Sequence, residues 1–339
     1  MAPRATPLEN RIPLAGEPES PRVNLLDIRN PGALSHWARS GSVKEWRSFS
    51  IQNGQLFLEV SLGCYGMLQT VKVFLYDKES GETYIFDRMA FSKPVRRQHN
   101  AEGPSLEYSS PRFSFDLRSL LNENAVKLGI SIEAGKKRPA FYVALSLAMG
   151  DADIQPLAVS LSFAQRRSMY AFKSIAAVSG DISLDGSDLS LELDSCTGIL
   201  RDFKGFFPRR IRYSACAGMA FDGDGRRYGF HMAENQAMDG YNYNENALWL
   251  DGNLTPLPPV RITMPGGPES DWVVQDTEGM VDLVFTPKAT NRFRRNLLLA
   301  RGDFFANIGH YNGMLTTSNG NQLEVRNLCG MSEKLYLRV

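Results

Sequence analysis

The hydrophobic positions of this chain fall largely at alternate residues, in short runs closed by glycine turns. In "SIQNGQLFLEVSL" the pair Asn53-Gly54 is followed by Leu56, Leu58 and Val60 at every second position. "GDISLDGSDLSLELD" repeats the design, with Asp185-Gly186 followed by Leu189, Leu191 and Leu193. "TVKVFLYDKESGETYIFD" reads as two strands around a Lys-Glu-Ser-Gly turn, and further turns stand at Asp224-Gly225, Asp251-Gly252 and Asn319-Gly320. A period of two places alternate side chains on one face of a strand. Asn-Gly and Asp-Gly accept the positive φ of tight hairpin turns. Their recurrence predicts an all-β, antiparallel protein built as barrels or sandwiches.

Helical periodicity is sparse. "NPGALSHWARSG" (30–41) and "DLRSLLNENAV" (116–126) predict two short helices. "VALSLAMGDADIQPLAVSLSFAQ" predicts two apolar strands around a Gly-Asp-Ala-Asp turn. The 339 residues suit two domains. "GMLQTVKVFLYDKESGETYIF" and "GMAFDGDGRRYGF" share an order of Gly-Met, strand, acidic glycine turn, tyrosine and aromatic residue, as a tandem duplication would. The expected division is an extended or disordered strap over 1–22, with five prolines, then barrel-like domains over 23–195 and 196–339.

Apolar residues make up 43% of the chain and charged residues 22%, with a formal net charge of +1. That is ample for a core, and it offers no footprint for nucleic acid. The four cysteines, Cys64, Cys196, Cys216 and Cys329, form no CxxC pair, so buried thiols are expected rather than a zinc site. No apolar run is long enough for a membrane-spanning helix and the first residues lack a secretory pattern, which predicts a cytoplasmic protein.

No glycine-rich nucleotide loop, Walker run or nucleophile elbow occurs, so the chain is expected to work without metal, nucleotide or flavin. "DGDG" at 222–225 is a hairpin turn, because Arg226 and Ala233 fall where a calcium loop needs oxygen ligands. The polar stretch "GFHMAENQAMDGYNYNENALWLDG" (229–252) admits two readings: a loop whose asparagines bond their own backbone, or a site. On the second, Glu234 and Glu245 are catalytic candidates and Asn246, Tyr243, His231 and Trp249 binding candidates. Asp202 in "LRDFKGFFPRR" stands among Phe203, Phe206 and Phe207. Desolvation by these rings, Phe207 included as a ligand wall, would make Asp202 the proton donor of one cavity shared with Glu245 and Asn246.

The second half carries a recognisable series. Asp202-Phe203, Gly205, Phe207-Pro208, the "DGRR" turn at Asp224 to Arg227, Glu245-Asn246-Ala247, "LVFTP" and "GHYNG…LEVRNLCGMSE" resemble the uncharacterised DUF2804 family. In the first half, Trp46 of "HWARSGSVKEWRSFSI" matches a family tryptophan. More remotely the pattern is similar to carotenoid 1,2-hydratases, AttH-like proteins and lipocalin-like pericyclases. The resemblance implies two lipocalin-like barrels in tandem. Asp202 takes the place of a hydratase acid, whereas Lys204 stands where those enzymes carry a glutamate. The expected function is binding, and cofactor-free acid/base transformation, of an apolar small molecule such as a polyene, terpenoid, lipid or polyketide. Hydration, isomerisation and cyclisation are the reactions in view. The alternatives are a carbohydrate-binding or glycan-processing β-sandwich and a non-catalytic lipid-binding protein.

Overall fold

The structure, a computed structural model, describes residues 43–338 except 66–67, 92–94, 101–102, 121–124, 137, 150–153, 165–166, 209, 242 and 297–300. The expected strap and the helix expected over 30–41 lie outside the described residues. The other expected helix is not helical: residues 116–120 end one strand and 125–126 begin the next. Leu117 and Leu128 pair across that hairpin and both are buried, so cross-strand burial overrides local helix propensity. Among the described residues there is no helix.

The first sheet holds β1 (Val43–Gln52), β2 (Leu56–Tyr65), β3 (Leu68–Asp77), β4 (Thr83–Phe91), β5 (Val95–Asn100), β6 (Gly103–Ser110), β7 (Phe113–Leu120), β8 (Ala125–Ile132), β9 (Phe141–Ala148), β10 (Leu157–Ala164), β11 (Arg167–Leu184), β12 (Ser187–Leu191) and β13 (Thr197–Phe206). The second holds β14 (Arg210–Phe221), β15 (Arg227–Glu234), β16 (Ala247–Leu250), β17 (Asn253–Pro256), β18 (Val260–Thr263), β19 (Trp272–Asp276), β20 (Val281–Asn296), β21 (Arg301–Thr316) and β22 (Gln322–Arg338). All pairings are antiparallel. Each sheet curls on itself as a lipocalin-like half-barrel. β13 inserts between β1 and β11, so the chain passes from the first sheet to the second after Phe206, not at the expected 195/196 division. The two apolar strands expected around the Gly-Asp-Ala-Asp turn are β9 and β10; they do not pair with each other, but both pair with the long β11.

Several turns take the chemistry their residues allow. Asp185 and Asp251 have φ of 51° and 50°, each followed by a glycine with positive φ, which is the two-residue type I′ hairpin turn favoured by right-twisted strands.

Three apolar clusters follow from the alternation. Phe49, Ile51, Leu58 and Val60 with Leu128, Val143 and Val178 fill the first sheet. Phe230, Met232, Trp272, Leu283 and Tyr311 fill the second. Phe57, Ile175, Ile199 and Phe203 from one sheet meet Ala217, Trp249, Ile308 and Met331 from the other. The strands β1, β2, β11 and β13 are thus buried on both faces, and their second face looks onto the other sheet.

Close packing inside the second sheet depends on paired glycines. Gly218 and Gly309 both pair with Gly330. A Cβ on Gly330 would stand 2.5 Å from the Ala217 carbonyl oxygen and 2.7 Å from the Tyr311 ring. The Tyr311 hydroxyl donates to the Met331 carbonyl at 2.6 Å, fixing that ring over the glycines.

Candidate functional site

One register level of the first sheet is polar across six adjacent strands. Asp87 pairs with Lys72, Lys72 with Ser61, Ser61 with Ser48, Ser48 with Arg201, and Arg201 with Lys173. Directly paired residues share a face, and this face meets the second sheet. The band is therefore internal, and its charges need partners. Arg201 donates to Glu59 at 2.5 Å and to Ser50 at 2.9 Å, and Ser50 donates to the other Glu59 oxygen at 2.5 Å. Burial pushes the Glu59 carboxyl up, against the Arg201 guanidinium, to about 8. Burial likewise brings Lys72 down to about 8, partly offset by Asp87 and Glu333.

The band ends at a cluster centred on Lys173, which is fully buried, as are Glu245 and His231. The ammonium donates to the Glu245 carboxylate at 2.5 Å, to the Glu245 carbonyl at 2.9 Å, and lies 2.6 Å from His231 Nδ1. All three lysine donors are thereby used. The second Glu245 oxygen accepts from the Asn235 amide at 2.6 Å. The pairing of His231 with Ala247, first residue of β16, sets Glu245 two residues upstream beside the imidazole. Because Nδ1 faces an ammonium, it accepts, so the ring proton sits on Nε2, 3.5 Å from the Tyr213 hydroxyl.

The electrostatics follow from burial. Desolvation lowers Lys173 to about 8, opposed by the Glu245 charge. His231 is held well below its ordinary value by burial and then by the Lys173 and Arg201 charges, so it is neutral at pH 7. Tyr213 is pushed well above its ordinary value by burial and the nearby Glu245 charge, which keeps the phenol a hydrogen-bond donor.

Glu245, Asn235 and Tyr213 line one small cavity, whose other walls include Trp46, Phe163, Met169, Phe207 and Ile211. Trp46 packs on Phe207 and Phe203 with ring centroids 4.8 and 4.9 Å apart, and Phe163 on Phe207 at 5.4 Å. The volume is about 10 Å³, room for roughly one water. A polar corner in an aromatic enclosure concentrates electrostatic interactions with whatever enters.

The expected site residues are distributed unevenly. Glu245 and His231 belong to the cluster and Phe207 to the cavity wall. Asp202 does not join them: it faces the opposite side of β13 from Arg201, is about a quarter exposed, and its carboxylate is held by Arg47 Nε at 3.1 Å. This is not the desolvated setting sought for a proton donor. Asn246 is buried, but its amide spans backbone groups, accepting from Ala233 N–H and donating to the Pro258 carbonyl, each at 2.8 Å. Glu234 ties β15 to β18 by accepting from Ile262 N–H and Arg261, both at 3.0 Å, and does not line the cavity that Glu245 lines. Tyr243 is exposed. Trp249 is buried between the sheets and its indole donates to the Gln155 carbonyl at 2.8 Å.

Lys173, Tyr213 and Asn235 were not among the sequence candidates. The available signal was a lysine at the centre of "YAFKSIAAV", whose neighbours on its own face, Ala171 and Ile175, are apolar. Among the described residues no three His, Cys, Asp or Glu side chains converge as a metal site requires.

A family described as "Domain of unknown function (DUF2804)" matches residues 19–338. No curated protein matches the chain. Solved structures with a similar fold include an AttH-type protein of Nitrosomonas europaea, 12% identical, TM-score 0.50, over 88% of this chain and 93% of that one. Kievitone hydratase of Nectria haematococca is 11% identical, with a TM-score of 0.51, over 87% of this chain and 88% of its own. At such identities the likeness concerns the fold.

Proposed function

This chain belongs to the DUF2804 family, and from its buried site we propose that it adds water to, or removes it from, a polarised carbon–carbon double bond of an apolar small molecule. The observation that carries this reading is the meeting of a fully buried Lys173–Glu245–His231 cluster with an aromatic cavity lined by Glu245 and Tyr213. The hydratase among the proteins of similar fold agrees with it.

In the proposed step the Glu245 carboxylate takes a proton from a water in the cavity. Two of its four lone-pair positions are occupied by Lys173 and Asn235, leaving acceptor capacity. The hydroxide adds to the β-carbon of a conjugated carbonyl compound, and charge passes to the carbonyl oxygen. Tyr213 donates a hydrogen bond to that oxygen, oriented by the His231 Nε2–H behind it. Glu245 then returns the proton to the α-carbon, so the balance is one water per double bond. Lys173 is a positioning residue: it fixes the Glu245 carboxylate and the imidazole tautomer. The cavity admits only a water as it stands, so substrate entry requires its aromatic walls to part.

Incubation in D2O with a panel of apolar enones tests the reading, with deuterium at the α-carbon read by mass spectrometry. Wild-type protein should label a substrate, while Glu245→Gln should lose about 10²–10⁴ in rate and still quench Trp46 fluorescence on binding. Equal labelling by wild type and Glu245→Gln would overturn it. Binding without labelling by wild type would favour the lipid-binding alternative.

A further inference from the structure

A second recess, away from the aromatic cavity, opens where the Asn53-Gly54 turn and the start of β13 approach β15, β21 and β22. Its volume is about 480 Å³. No aspartate or glutamate is among the described residues that line it, whereas Lys78, His310 and Arg326 are. Arg326 is already held by Glu324, at 2.5 and 2.7 Å. Among the described residues Lys78 has no carboxylate partner: its ammonium donates to the Gln52 side-chain oxygen at 2.9 Å and the Asn53 carbonyl at 2.5 Å. Two of three lysine donors are thus spent on neutral oxygens, and the charge is uncompensated. Burial lowers Lys78, opposed by the Cys329 and Cys196 thiols and by no carboxylate. The buried Nδ1 of His310 has no partner among the described residues, and burial, then the Lys288 and Lys78 charges, lower that imidazole and keep it neutral. Tyr228 and Leu328 add apolar surface to the same recess.

A largely buried cation without a counter-charge, an unpartnered imidazole nitrogen and an apolar wall together describe an anion site with room for an organic body. We infer that this recess binds a small monocarboxylate, its carboxylate against Lys78 and His310 and its body against Tyr228 and Leu328. The inference is independent of the proposed hydration chemistry, since none of these residues touches the Glu245 cavity.

Calorimetry at constant ionic strength tests it, using sodium benzoate, the neutral isostere benzamide and inorganic phosphate as probes. Benzoate should bind saturably at millimolar concentration and raise the melting temperature, and benzamide should not. Lys78→Met should weaken benzoate about tenfold or more, the loss expected for one charge-assisted contact. Lys78→Gln should do the same and replaces it if the methionine variant does not fold. Binding of benzamide equal to benzoate, unchanged affinity in the Lys78 variants, or no saturable benzoate binding would each overturn the inference. Phosphate binding as tightly as benzoate would also overturn it, because the site would then read only the oxyanion.

Discussion

Replacing Lys173 by methionine should be among the most damaging single changes in the protein, and more damaging than Glu245→Gln. Methionine keeps the volume but removes three donors at once, from the Glu245 carboxylate, the Glu245 carbonyl and His231 Nδ1. Removing one partner of a buried pair costs about 3–5 kcal/mol, because the other charge stays in the interior. Glu245→Gln leaves an ammonium instead, but burial has already brought Lys173 to about 8, so it sheds its proton readily. That loss should be about 1–2 kcal/mol, the range for a buried hydrogen bond made weaker. The double variant Lys173→Met/Glu245→Gln removes both charges and should fall short of the sum by about 2 kcal/mol. Urea unfolding followed by circular dichroism and tryptophan fluorescence reads these differences. With a slope of about 3 kcal/mol/M, Lys173→Met should lower the midpoint by about 1–2 M. A Lys173→Met loss under about 1 kcal/mol, or strict additivity in the double variant, would show that the pair is not the buried, mutually compensating unit described here.

Three further outcomes can be checked with the same unfolding assay. Asp202→Asn breaks a partly exposed ion pair and should cost no more than about 1 kcal/mol, with deuterium labelling unchanged; a large loss of labelling would return Asp202 to the chemistry. Gly330→Ala drives a methyl into the Ala217 carbonyl and the Tyr311 ring and should cost about 3 kcal/mol or more, seen as a lowered midpoint or insoluble protein. Glu59, raised to about 8 from 4.5, binds in the folded state a proton that the unfolded chain has lost. Between those values its contribution to stability falls as pH rises, so wild type should lose stability relative to Glu59→Gln from pH 5 to pH 8, and parallel curves would contradict that.

Much of the fold was legible because local chemistry and tertiary demand agree. The Asp185-Gly186 and Asp251-Gly252 turns adopt the positive φ that their residues tolerate, and the alternating leucines that follow Asn53-Gly54 enter the core of the first sheet. The helix expected over 116–126 failed where they disagree: "DLRSLL" has helical propensity, but pairing with β8 buries Leu117. The place of β13 in the first sheet was not legible in the sequence. Its partners β1 and β11 are set by hydrogen bonding over long separations, which no local pattern records. The motif "GHYNG…LEVRNLCGMSE" proves structural: Gly309, Tyr311 and Gly330 build the glycine floor of the second sheet.

The site was half legible for a related reason. Glu245 and His231 sit in a polar loop and the strand before it, where attention naturally falls, whereas Lys173 and Arg201 each interrupt an apolar face, between Ala171 and Ile175 and between Ile199 and Phe203. Their partners lie far away in sequence: 58 residues for Lys173 and His231, 72 for Lys173 and Glu245, 142 for Arg201 and Glu59. A strand buried on both faces has no solvent side on which to place a cation, so each such cation implies an acid contributed by another element. The arrangement also constrains how the sheets meet. Sliding one sheet over the other by a single two-residue repeat, about 7 Å, would part Lys173 from Glu245 and leave both buried, at several kilocalories per mole for each uncompensated ion. Apolar contacts alone tolerate such slippage better, since one methyl-lined surface resembles the next. The polar band therefore selects one registry of the two half-barrels, and in that registry Glu245 and Tyr213 face the same cavity.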